Sequence, residues 1–152
     1  MLLEAVLWLA LARLGLLILP FHRLAPWLGA HMAQTGRALD TRAEGLAQEV
    51  GWAVRAVARR TPWESACLAQ AIAAKAMLRR RGLPSTLYLG VARDEARRLT
   101  AHAWLRCGAE VITGGDYSEY AVISSFGDEA FGDEAFGNEA FGNEAFTEKA
   151  GS

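Results

Sequence analysis

The sequence predicts an α+β fold, with helices first and a small, mostly antiparallel sheet after them. Two observations carry this. Up to about residue 81 the apolar residues recur at helical spacing, and from residue 85 they alternate with period two. Between the two textures stand Gly82 and Pro84, which end a helix and bar its continuation. Helices followed by a run of strands pack as one sheet with the helices laid on it.

Taken in order, residues 2–19 read as one apolar helix closed by Pro20. Glu4 and Arg13 interrupt the apolar run, so it makes a poor membrane span. A basic start and a small-residue cleavage site are also missing, so it does not read as a signal peptide. The helix is assigned to the core, and membrane contact is not expected. Pro20, Pro26 and Gly29 then punctuate a turn. Residues 39–60 form an amphipathic helix with Leu46, Val50, Val54 and Val57 on one stripe. Asp40 or Thr41 caps it, and Glu44 stands where a capping box with Thr41 requires it. Arg55, Arg59 and Arg60 sit near its end, where the helix dipole favours cations.

The stretch TPWESACLAQAIAAKAMLRRRGLP, residues 61–84, holds the third helix. Thr61-Pro62-Trp63-Glu64 offers one start, a capping box with proline at the first helical position. Ser65 offers another, and that one puts Cys67 in the first turn. Alanines at 66, 69, 71, 73, 74 and 76 raise helix propensity and let a sheet approach closely. Strands follow at 85–92, 99–107, 110–113 and 120–126. The second carries His102, Trp104 and Arg106 on one face, and Gly108-Ala109 turns it into the third.

From Phe126 the chain repeats FGDEA twice and FGNEA twice, then ends FTEKAGS. A five-residue step turns a helix by about 140° per Phe and swaps faces in a strand, so no lasting apolar stripe forms. Residues 126–152 are therefore read as a disordered, low-complexity extension. The expected organisation is an N-terminal helical part, 1–60, joined in one domain with a core at 61–125, and then the tail.

A chain of 152 residues that is 52% hydrophobic and 22% charged is globular and long enough for one real core. The net charge of −1 hides an asymmetry, because residues 126–152 hold seven of the 17 acidic residues and one of the 16 basic ones. The body is thus mildly basic. That permits an acidic peptide partner but is too weak for a nucleic-acid footprint, and no nucleic-acid motif accompanies it. Two cysteines make no disulfide framework, so a reducing, cytoplasmic setting is expected. A Cys67–Cys107 disulfide is the sharp rival, since it would abolish a nucleophile.

Cys67 is the residue that points to chemistry. A thiol at a helix start lies in the field of unpaired amides, which stabilises its thiolate. His102, on a strand between two alanines and followed by Trp104, can serve as its base. His22 falls in the Pro-flanked turn and His31 in a helical stretch, so both are weaker partners. The third group depends on hairpin register. A strict two-residue turn pairs His102 with Gly115 and points Asp116 to the other face. A three-residue turn pairs His102 with Gly114 and brings Asp116 diagonally onto the same face. A bulge at Gly114-Gly115 would re-aim it. Asp116 is the candidate and Thr113 the fallback. Cys67, His102 and Cys107 could ligate zinc, but no HExxH or paired CxxC spacing is present, and phosphate-loop and dinucleotide motifs are absent. No metal or cofactor is expected.

The segment TPWESACLAQAIAAKAMLRRRGLPSTLYLGVARD, with LTAHAWLRCGAEVITGG and the closing YAVISSF, resembles the lasso-peptide biosynthesis leader peptidases. These belong to the transglutaminase-like branch of the papain-like cysteine proteases. The apolar N-terminal helix with LPFHRLAPWLG is similar as well, so the resemblance covers about residues 1–125. It implies a papain-like/transglutaminase-like fold and a cytoplasmic cysteine peptidase that removes the leader from a ribosomally made precursor peptide. On it Cys67 matches the nucleophile and His102 the general base, and a carboxylate after the His completes a catalytic triad. In this chain Thr113-Gly114-Gly115 occupy the usual place of that carboxylate, with Asp116 just beyond. The resemblance further implies a separate leader-recognition protein and a partner lasso cyclase. Readings from other classes are a non-catalytic interaction module, or an acyl or amine transferase on the same scaffold.

Overall fold

The computed structural model describes residues 1–60 and 66–128. The proposed capping box at 61–64, the Ser65 cap and the repeats from 129 onward lie outside the described residues. Four helices and five strands follow in the order α1 (Leu2–Ile18), α2 (Phe21–Leu28), β1 (Ala30–His31), α3 (Thr41–Ala58), α4 (Cys67–Arg80), β2 (Ser85–Arg93), β3 (Leu99–Cys107), β4 (Glu110–Thr113) and β5 (Ala121–Gly127). All strand pairs are antiparallel, in the order β1-β5-β2-β3-β4. The α+β fold expected from the change in periodicity is the one found.

Helix α4 is the middle layer. Ala69, Ala71, Ala73, Ala74 and Ala76 are buried along it, and their small side chains let α1 and α3 pack on it while it lies on the sheet. Strand alternation sorts the sheet residues into two faces. Leu87 and Leu105 are directly paired and, with Cys107, join the helices in the core. Tyr88 and Trp104 are likewise paired but point the other way, where Arg106 and Thr86 are also buried. Fully burying a side chain such as Leu87 or Leu105 contributes about 1.5–3 kcal/mol, so the α4 face is the main source of stability. Asp40, not Thr41, caps α3, its carboxylate accepting the Ala43 N–H at 2.7 Å.

Three local readings change. The turn at Pro20–Gly29 is a helix, α2, entered through extended Pro20 and tolerating Pro26 inside it. His31 lies on β1, where Ala30 pairs with Gly127 and His31 with Phe126. Only one stripe of α1 is buried (Ala5, Leu9 and Ala12), while Leu3 is 86% exposed and Leu7, Leu14 and Leu17 face outward. No described helix is long and apolar enough to cross a membrane.

The low-complexity run begins inside the fold. Phe126 and Gly127 belong to β5, and Asp128 closes the far end of α4. Its carboxylate meets Lys75 at 3.1 Å and Arg79 at 2.6 Å. Burial works against the charged carboxylate, but the Arg79 hydrogen bond and the Lys75 charge outweigh it and hold the pKa below its ordinary value. Lys75 is completely buried, and it also donates to Ser85 O at 2.7 Å.

This cluster gives the protein a two-signed alkaline profile. Burial, only partly offset by Asp128, lowers the Lys75 pKa from 10.5 to about 8. Between those values the unfolded chain binds more protons, so stability rises with pH. Burial pushes the Cys107 thiol from 9.0 up to about 11, so over that window the folded chain binds more protons and stability falls. Urea unfolding is expected to show stability rising from about pH 8 to 9 and then levelling as the two slopes oppose. In Cys107→Ala the rise continues toward pH 10.5. A flat profile in that variant would refute the role given to Lys75.

Candidate active site

Helix α4 begins at Cys67 itself, with Ala66 as its cap residue and Gln70 N–H donating to Ala66 O at 3.1 Å. The thiol is therefore in the first turn, among the amides that helix geometry leaves unpaired. It is half-buried and free. It opens on a cleft of about 380 Å³ whose walls include Leu16 of α1, Leu19 just after it, Phe21 of α2, Leu89 of β2, Ala101–Ala103 of β3 and Ile123 of β5. The cleft is apolar apart from Cys67 and His102. Ile123 reaches it because β5 is bulged there, with Leu89 opposite Ser124 and Gly90 opposite Val122.

Cys107 is remote from this cleft. Its Sγ lies 3.4 Å from Pro84 O and the residue is buried near Lys75. Lys75 is two helical turns along α4 from Cys67, a rise of about 12 Å, which puts the two thiols beyond disulfide reach.

His102 lies on β3 opposite Gly90. Its alternation places the ring on the aromatic face of the sheet, whereas its neighbours Ala101 and Ala103 face α4. The ring packs against Tyr120 at 4.8 Å between centroids and Trp104 at 6.0 Å. Trp104 is in turn stacked between Tyr88 and Tyr117, at 5.6 and 5.1 Å. Cys67 and His102 thus share one cleft, but no hydrogen bond joins the thiol to the ring among the described residues.

The ring's hydrogen-bond partner is a backbone carbonyl, Gly114 O, 2.5 Å from Nε2. A carbonyl only accepts, so Nε2 carries the proton and, in the neutral ring, Nδ1 is the basic nitrogen. The register explains the position. Cys107 pairs with Glu110 across a two-residue turn, but Leu105 pairs with Thr113, so the bulge falls at Ile112, before the glycines. Gly114 is thereby carried alongside Trp104, with φ +104°.

Asp116 is brought elsewhere. It is exposed, and its Oδ1 accepts the Ser118 N–H at 2.9 Å, a local turn bond that lowers its pKa. The structure brings the Gly114 carbonyl, and not the Asp116 carboxylate, to His102. Thr113 Oγ1 is buried with no hydrogen-bond partner and does not reach the ring either. Tyr120, which packs on the ring, and Tyr117, which stacks on Trp104 beside it, were not singled out from sequence. Two tyrosines just past a Gly-Gly pair were the available signal. No group of three His, Cys, Asp or Glu suited to a metal occurs among the described residues.

A family model described as the transglutaminase-like superfamily matches residues 15–125, from the last turn of α1 into β5. No curated protein and no solved structure matches the chain. The matched span takes in the Cys-bearing helix, the His-bearing strand and the sheet between them, and on that match the chain belongs to the transglutaminase-like superfamily.

Proposed function

We propose that the protein is a cysteine peptidase that removes the leader from a ribosomally synthesised lasso precursor peptide. One observation carries the chemistry. Cys67 opens α4 on a cleft that it shares with His102, whose Nε2–H is held by Gly114 O so that Nδ1 is left as the base. The family match is consistent with this, since the superfamily includes cysteine peptidases and transferases. The resemblance of PWESACLAQA and AHAW to leader peptidases supplies the substrate class.

In this mechanism His102 Nδ1 takes the thiol proton and Cys67 Sγ bonds to the scissile carbonyl carbon. Amides of the first turn of α4 stabilise the oxyanion. The carbon–nitrogen bond breaks as the imidazolium returns its proton to the leaving amine, and the leader remains as a thioester on Cys67. Water then cleaves the thioester and releases the leader as a carboxylate. An amine in place of water makes the same site a transferase. The ring stands on the face of the sheet away from α4, so the thiol and ring are proposed to meet only in the substrate-bound state, through a rearrangement of β3 and not the tightening of an existing hydrogen bond. The orienting group is assigned to Gly114 O, with Asp116 outside the bonded set. A separate recognition protein, a partner cyclase and a cytoplasmic setting belong to this reading. The test is incubation with the precursor, with and without the recognition protein, followed by mass analysis. A precursor left intact in both arms sinks the proposal.

One observation favours a non-catalytic module instead, namely that the His102 ring starts on the face of the sheet away from α4. Alkylation separates the two readings. An enzyme's Cys67 is expected to react with iodoacetamide at neutral pH at least about 10-fold faster than Cys107, and that lead should shrink in His102→Ala. Cys107 is slow in either case, because its pKa is raised to about 11. A Cys67 rate that ignores the His102 substitution favours the module.

A further inference from the structure

The first unit of the C-terminal repeat is bound by the domain as a ligand would be, residue by residue. Phe126 is 4% exposed, with Phe21 edge-on at 5.9 Å and the His31 ring at 5.3 Å. Gly127 lies so close to the chain at Ala33 that an added Cβ would stand 2.8 Å from its carbonyl carbon and oxygen. Asp128 Oδ2 accepts from Ser85 N at 3.0 Å and Ser85 Oγ at 3.3 Å and pairs with Lys75 Nζ, while Oδ1 pairs with Arg79. Its own N–H donates to Ser85 O at 3.1 Å. An aromatic socket, a gap without room for a side chain, and a carboxylate slot around a fully buried ammonium together select Phe-Gly-Asp. Asparagine fills the same space but leaves Lys75 uncompensated.

The chain contains this tripeptide twice, at 126–128 and at Phe131-Gly132-Asp133; the next two units read Phe-Gly-Asn. We propose that the socket is a Phe-Gly-Asp recognition site and that Phe131-Gly132-Asp133 of the same chain is its second occupant, reached when β5 slips by five residues. The residues displaced from the sheet are 121–125, of which Ala121 and Ile123 are exposed and Ser125 is buried. The five displaced residues lengthen the surface connection after Tyr120, and loop-closure entropy grows only logarithmically with length. A unit five residues away in the same chain is also present at high effective concentration. The slip carries residue 128 into the place of Ile123 in the wall of the Cys67 cleft, so the register of the tail and the chemistry of the cleft become one equilibrium.

Thermal unfolding of four full-length variants beside the parent tests this. Asp133→Asn is expected to match the parent. Asp128→Asn should lose no more than about 3 °C, because Asp133 replaces it, whereas the double variant should lose on the order of 10 °C or fail to fold. Phe131→Ala added to Asp128→Asn should reproduce the double variant, because the incoming unit needs its aromatic anchor. A midpoint for Asp128→Asn as low as that of the double overturns the second occupant. A double variant as stable as the parent overturns the carboxylate requirement. Rescue that fades on 100-fold dilution assigns the incoming unit to a second copy and overturns the slip within one chain.

Discussion

Cys67→Ala is expected to slow leader removal by at least about 10³-fold while moving the unfolding midpoint by less than about 2 °C. The activity loss is large because no other described side chain in the cleft is a nucleophile. Apart from His102 and Gly90, its other walls among the described residues are leucines, alanines, a phenylalanine and an isoleucine. The stability change is small because the thiol is only half-buried and alanine is a good residue inside a helix start. Mass analysis of the precursor with matched amounts of the two proteins measures the first, and a melting curve the second. Cleavage retained by the alanine variant would sink the peptidase assignment. A collapsed melting curve would instead make Cys67 a packing residue.

Gly114→Ala is expected to cost about 2–4 kcal/mol of stability and on the order of 10²-fold in cleavage rate. At φ +104° an L-residue is strained, and the added methyl would press into Trp104 and stand 2.9 Å from Ala103 O. The backbone must move, and Gly114 O is the atom that holds His102 Nε2. The ring then loses both its tautomer and its aim. Asp116→Asn provides the contrast. It keeps the exposed turn and changes only the charge, so activity within about threefold of the parent is expected. If Asp116→Asn instead falls as far as Gly114→Ala, the carboxylate is the orienting group and the carbonyl is not. Urea titration gives the stability term and single-turnover cleavage the rate.

The change of periodicity at Gly82–Pro84 was enough to order helices before sheet, because alternation and helical spacing are local properties of a chain. The strand carrying His102 was legible for the same reason, whereas the sequence offered Thr61 or Ser65 as the cap of α4 and the structure starts it at Cys67 after Ala66. The hairpin at Gly108-Ala109 was legible as a turn, but the bulge at Ile112 was not. A bulge reflects how two strands twist against what lies on them, and nothing in the tetrapeptide EVIT announces it. That inserted residue sets Gly114 beside Trp104, and the end of β4 at Thr113, with Gly114 and Gly115 at positive φ, turns Asp116 away from the ring. The Pro-punctuated segment 20–29 misled in a similar way, since Pro20 only precedes the helix and Pro26, its sixth residue, forgoes one backbone bond in a helix that α1 and the sheet hold in place.

Composition alone marked the repeat as a tail, yet its first three residues complete the fold. Phe, Gly and Asp recur too evenly for the sequence to say which unit is bound. The choice of Phe126-Gly127-Asp128 rests on a buried Lys75 that needs a carboxylate and on an aromatic socket formed by Phe21 and His31, residues distant in the chain. By itself the sequence determined the α+β order, the helix-borne thiol and the strand-borne imidazole, because these follow from neighbours a few residues apart. Only the tertiary structure decided that His102 borders the thiol's cleft while its ring lies on the other face of the sheet, that a carbonyl holds the ring, and that the tail begins inside the sheet. Each of those depends on strand register and on side chains meeting across long stretches of sequence, where a shift of one residue exchanges the two faces of the sheet.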